Sequence, residues 1–101
     1  TSGIGPKERA ELAAAPVPDG AKLHVYDPGY RIFLFYLRPP VGYVTGPEEI
    51  DADVRYLAGR VDLLDAPTVR EALGPRSPRV LVRFTDRYGK RYRVLELSGD
   101  G

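Results

Sequence analysis

The chain has 101 residues, enough for one domain with a buried core, and contains no cysteine, methionine or tryptophan. Its 15 basic and 14 acidic side chains leave a net charge of +1, which removes any global pull toward nucleic acid or anionic lipid. Lack of cysteine excludes a disulfide framework, a thiolate metal site and a thiol nucleophile, and nothing approaches the roughly 20 apolar residues of a membrane span.

Residues 1–5 (TSGIG) read as a flexible lead, and 6–101 as a single globular domain. Pro6 suits the first turn of a helix and Lys7 to Ala15 are good helix formers, so a helix is predicted over 6–15, stopped by Pro16 and Pro18. Its one large apolar residue, Leu12, sits among alanines. So thin a stripe gains little from packing, and the helix lies loosely on its own domain or serves as a docking arm.

Lys22 to Tyr26 alternates, with Leu23 and Val25 on one side and His24 and Tyr26 on the other, as in a half-buried strand. Asp27-Pro28-Gly29-Tyr30 has the type II turn signature. The unbroken apolar run Ile32 to Leu37 predicts a central strand over 31–38, covered on both faces and ended by Pro39-Pro40.

Residues 47–58 (PEEIDADVRYLA) fit two periods. Ile50, Val54, Leu57 and Val61 have helical spacing, while Ile50, Ala52, Val54 and Tyr56 alternate as a strand would. Pro47, the first-turn acids and Gly59 as a stop favour the helix. Arg60 to Leu64 reads as a short strand. Asp65 can cap a helix over 66–73, with Val69 and Leu73 on one face and Gly74-Pro75 at its end.

Arg79 to Leu97 predicts a hairpin whose register can be written down. Asp86-Arg87-Tyr88-Gly89 fits a type I turn followed by a left-handed glycine. Asp86 then pairs with Lys90, Thr85 with Arg91, Phe84 with Tyr92, Arg83 with Arg93, Val82 with Val94, Leu81 with Leu95 and Val80 with Glu96. Val80, Val82, Phe84, Tyr92 and Val94 form a core face. Arg83, Arg91 and Arg93 near the tip share the other face with Leu81, Leu95 and Leu97 at the base. The V-R-F-x-D-x-x-G stretch resembles the closing hairpin of immunoglobulin-like sandwiches, which implies an all-β or α+β fold and no activity. Successive strands without regular helix alternation predict an α+β, β-rich domain. It is a small antiparallel or mixed sheet or sandwich with an N-terminal helix, one or two short helices (47–58, 66–73) and the C-terminal hairpin.

Catalytic chemistry finds few residues. Ser2, Ser77 and Ser98 lie in termini or Pro/Gly-rich turns, and the one histidine, His24, lies on a strand. Glu48, Glu49, Asp51 and Asp53 lack the D-x-D-x-D-G spacing of a calcium loop and read as a solvated acidic helix start. The expectation is a non-enzymatic protein, soluble and by default cytoplasmic, with no cofactor, metal or small-molecule ligand. The absence of Asn and Gln, and twelve arginines against three lysines, point to a GC-rich or thermophilic source.

Charge is unevenly spread. Residues 48–65 hold six acids against Arg55 and Arg60, while residues 70–93 hold eight bases against Glu71 and Asp86. The simplest use of this split is internal, with the acidic segment folded beside the hairpin; the next is head-to-tail contact between copies. Arg83 facing Arg93 requires an acidic neighbour, because like charges opposite each other destabilise a sheet. The candidate binding surface is therefore Arg83, Arg87, Tyr88, Lys90, Arg91 and Arg93, cations interleaved with aromatics. The expected function is a non-catalytic interaction or assembly module docking on an acidic protein surface or another copy, with the N-terminal helix as a second contact. A nucleic-acid-binding β-domain using the same hairpin is the alternative, and a small enzyme the third reading.

Overall fold

The computed structural model describes residues 6–26, 40–85 and 89–97. The lead 1–5, the turn 27–30, the apolar strand over 31–38 and the hairpin residues Asp86, Arg87 and Tyr88 lie outside the described residues. In chain order the elements are α1 (Pro6–Ala14), β1 (Leu23–Tyr26), β2 (Val41–Val44), a 3₁₀ turn (Pro47–Glu49), β3 (Tyr56–Arg60), α2 (Val61–Leu64), α3 (Pro67–Leu73), β4 (Pro78–Thr85) and β5 (Arg91–Leu97). The fold is a small α+β domain around one five-stranded mixed sheet, ordered β2-β1-β3-β5-β4. β1 runs parallel to β2 and β3, whereas β5 runs antiparallel to β3 and β4. Helices cover the two faces of this sheet, in place of the second sheet of a sandwich. No helix among the described residues is long and apolar enough to cross a membrane.

Two apolar layers result. Ala13 and Val17 pack with Leu23, Ala58, Phe84, Tyr92 and Val94 on one face. Leu64, Val69 and Leu73 from α2 and α3 pack with Tyr26, Val44, Leu57, Leu95 and Leu97 on the other. β1 is therefore buried on both faces, not one, with Leu23, Val25 and Tyr26 all in the interior. Helix α1 lies against β4. It docks through Ala10, Ala13 and Ala14, which are buried, and turns Leu12 outward. Small side chains let the helix backbone approach the sheet closely, so a helix without a large apolar stripe still packs on its own domain. That contact removes the argument for a free docking arm.

The helix expected over 47–58 does not form. A single 3₁₀ turn follows Pro47, and Tyr56 to Arg60 become β3. Local side-chain bonding ends the helix early: the Asp53 amide donates to Asp51 Oδ1 at 2.9 Å, a turn that competes with helical pairing. Sheet pairing on both sides of Leu57 and Ala58 then decides between two equally good periodicities. The strand expected over Arg60–Leu64 is likewise helical after Arg60. The 66–73 helix forms as α3, but Ala66 occupies its N-cap without a side-chain cap. Asp65 ends α2 instead.

The hairpin register holds at its tip, where Thr85 pairs with Arg91, Phe84 with Tyr92, Arg83 with Arg93 and Val82 with Val94. Gly89 has φ +83, the left-handed conformation the turn requires. Toward the base a bulge between Val80 and Val82 shifts the pairing by one. Val80 then faces Leu95 and Arg79 faces Glu96, so the expected Leu81–Leu95 and Val80–Glu96 pairs are absent. The shift moves Val80 to the Leu95 layer and Leu81 to the Phe84 layer. It also replaces an apolar–acid pair with an ion pair, Arg79 Nε to Glu96 Oε1 at 3.0 Å. That pairing holds the Glu96 carboxyl below the usual carboxylate range.

The docking of α1 has a direct test in urea denaturation. Ala13→Leu forces extra volume into a fully buried site and is expected to cost about 1–3 kcal/mol. Leu12→Ala should change stability by no more than about 0.5 kcal/mol. Equal, negligible effects would mean that α1 does not rest on the sheet.

Candidate functional site

Two charged regions stand at opposite ends of the sheet. The first is the hairpin end. Arg83 and Arg93 are cross-strand partners, as the turn chemistry predicts. The acid that their juxtaposition demands comes from this chain: Arg93 Nη1 donates to Asp65 Oδ1 at 2.9 Å. The helical turn of α2 delivers that carboxylate, because α2 starts directly after β3, next to β5. Arg93 is half-buried, and its Nε is buried without a hydrogen-bond acceptor.

Arg83 and Arg91 are exposed and make no ion pair among the described residues. Lys90 is exposed beside them. A groove of about 260 Å³ runs here, lined by Val61, Arg83, Phe84, Thr85, Arg91, Tyr92 and Arg93. Tyr92 is buried and stacks on Phe84, ring centroids 5.3 Å apart, so it stiffens the groove floor and is not a free stacking platform. Of the six predicted surface residues, Arg83, Lys90, Arg91 and Arg93 gather at this end, and Arg87 and Tyr88 are outside the described residues.

The second region was not foreseen. His24 and the acidic segment, far apart in sequence, line one cleft of about 420 Å³ together with Lys22, Tyr43, Val44 and Val54; its acids are Glu49, Asp51 and Asp53. Gly42, directly across from His24 on β2, makes room for the imidazole. A Cβ at position 42 would come within 2.8 Å of His24 Cδ2. His24 Nδ1 is buried without a hydrogen-bond partner. Burial, reinforced by the Lys22 charge, lowers the imidazole pKa below its ordinary 6.5, against the weaker opposite pull of Asp51 and Asp53.

The acidic rim is held by its own bonding. Glu49 Oε1 accepts from the Thr45 amide at 2.8 Å and Asp51 Oδ1 from the Asp53 amide. Arg76 Nη1 donates to the carbonyls of Asp51 at 3.1 Å and Val54 at 2.9 Å, tying the loop to the end of α3. No group of three or more His, Asp or Glu among the described residues is arranged to hold a metal ion.

The two regions cannot meet within one molecule. His24 shares a rung with Leu57 and Leu95, two rungs from Arg93 and Arg83, and β1 is three strands from β4. Strand spacing puts the Cα atoms of His24 and Arg83 roughly 16 Å apart. Asp53 lies before the first residue of β3 and so farther still from the hairpin tip. Comparison with family models, curated proteins and solved structures finds no match to this chain.

The depressed imidazole pKa fixes a sign. The folded state binds fewer protons at His24 than the unfolded chain does below pH 6.5, so His24 lowers stability as pH falls from that value. An NMR titration should give a His24 midpoint under 6.5, moving lower still in Asp51→Asn/Asp53→Asn. A midpoint at or above 6.5 would mean that the cleft does not bury the ring.

Proposed function

We propose that this domain is a non-catalytic protein-binding module whose hairpin end holds an acidic segment of a protein partner. One observation supports this most: of the two cross-strand arginines only Arg93 is bonded to a carboxylate, Asp65, while Arg83 and Arg91 stand exposed beside a groove with no ion pair among the described residues. Guanidinium groups hold carboxylates through paired, parallel hydrogen bonds, and each such bond is stronger than one between neutral groups. An entering carboxylate also relieves the Arg83–Arg93 repulsion, so binding and fold stability are coupled. Exposed ion pairs are each worth only about 0.2–1 kcal/mol, so affinity comes from several together and is modest.

Fluorescence anisotropy with a labelled Glu/Asp-rich peptide, its Gln/Asn counterpart and a single-stranded oligonucleotide tests the reading. The acidic peptide should bind the parent protein, and Arg83→Glu/Arg91→Glu should weaken it tenfold or more with unchanged far-UV circular dichroism. Failure of the acidic peptide to bind overturns the proposal. Tighter binding of the oligonucleotide, falling steeply with salt, would replace it with a nucleic-acid role.

A further inference from the structure

The partner's acidic surface has a match in the same molecule. We infer that the hairpin end docks head-to-tail on a second copy of this chain, with Arg83 and Arg91 entering the cleft rimmed by Glu49, Asp51 and Asp53 of that copy. The inference rests on the hairpin's being an acid-binding surface, and names what it binds.

Four observations converge on a second copy. Residues 48–65 are net acidic and residues 70–93 net basic, yet the chain's sum is only +1, so copies meet without long-range repulsion. Asp65 is the one acid of residues 48–65 that bonds the hairpin among the described residues; Asp62 pairs with Arg60 instead. The sheet separates the Cα atoms of His24 and Arg83 by roughly 16 Å, with the acids before β3 farther still from the hairpin, so their attraction is satisfied only between molecules. The two surfaces also agree in form: the acidic rim borders a cleft of about 420 Å³, open enough for long arginine side chains, and Arg83 and Arg91 stand exposed on paired strands of the hairpin. Lys22 and Arg76 do not cancel the rim, since Arg76 is committed to backbone carbonyls and Lys22 is one cation against three carboxylates. One contact leaves each copy's other end free, so the geometry is heterologous and extends to a ring or a filament.

Sedimentation velocity tests this with two charge-reversed variants. The parent should associate progressively up to roughly 1 mM and fall apart in high salt. Arg83→Glu/Arg91→Glu and Asp51→Lys/Asp53→Lys should each be monomeric alone, because each then carries one sign at both ends. Mixed together they should associate again, which a misfolded variant could not do. In the mixture, the His24 and Asp53 NMR signals of the labelled Arg83→Glu/Arg91→Glu protein should shift. A parent that stays monomeric while still binding the acidic peptide overturns the second-copy inference and leaves the peptide-binding reading standing. A parent that does neither overturns both. Association that survives either reversal, or a mixture that stays monomeric, also refutes it.

Discussion

The structure depends on β3 lying inside the sheet with Leu57, Ala58 and Gly59 buried. Tyr56 to Ala58 pair in parallel with β1 and all five residues pair antiparallel with β5, so the strand joins the two halves of a mixed sheet. Leu57 points into the α2–α3 layer and Ala58 into the α1 layer, and both are buried. Gly59 then permits the chain to fold straight back as α2. A Cβ there would sit 3.2 Å from Leu64 Cδ2 and 3.3 Å from Tyr26 Cβ, closer than nonbonded carbons rest comfortably. A strand buried between its ends can use no polar residue there, and Leu-Ala-Gly supplies none.

The distribution of charge follows from that arrangement. Because α2 begins where β3 stops, its last turn swings Asp65 beside β5, within reach of Arg93. Because β3 is entered from the other end, the acids preceding it are left at the far edge, around His24. One segment that is acidic in sequence is thus divided by a strand into a carboxylate that neutralises the hairpin and carboxylates that cannot. The domain is left polarised, with exposed guanidinium groups at the hairpin tip and exposed carboxylates at the diagonal corner.

Residues whose conformation is set by local chemistry were legible in advance. Pro6 and the alanines define α1, Gly74 ends α3, and Gly89 in its left-handed conformation sets the tip register that places Arg83 across from Arg93. Where local chemistry was divided, the reading failed. Residues 50–57 satisfy helical and strand periods equally well, and the sheet supplied the deciding pairs. The bulge near Leu81 leaves no mark in composition, since Val80, Leu81 and Val82 are interchangeable apolar residues; it is selected by Arg79 finding Glu96 and by two apolar layers each needing a side chain.

The sequence by itself determined the α+β class, the hairpin tip and the clustering of arginines there, because turn geometry and cross-strand pairing act over a few residues. Only the tertiary structure decided that Asp65 answers Arg93, that alanines rather than Leu12 seat α1, and that His24 lies in a cleft with Asp51 and Asp53. Each of those contacts joins residues far apart in the chain. The order of strands across the sheet brings them together, and short-range chemistry does not encode that order.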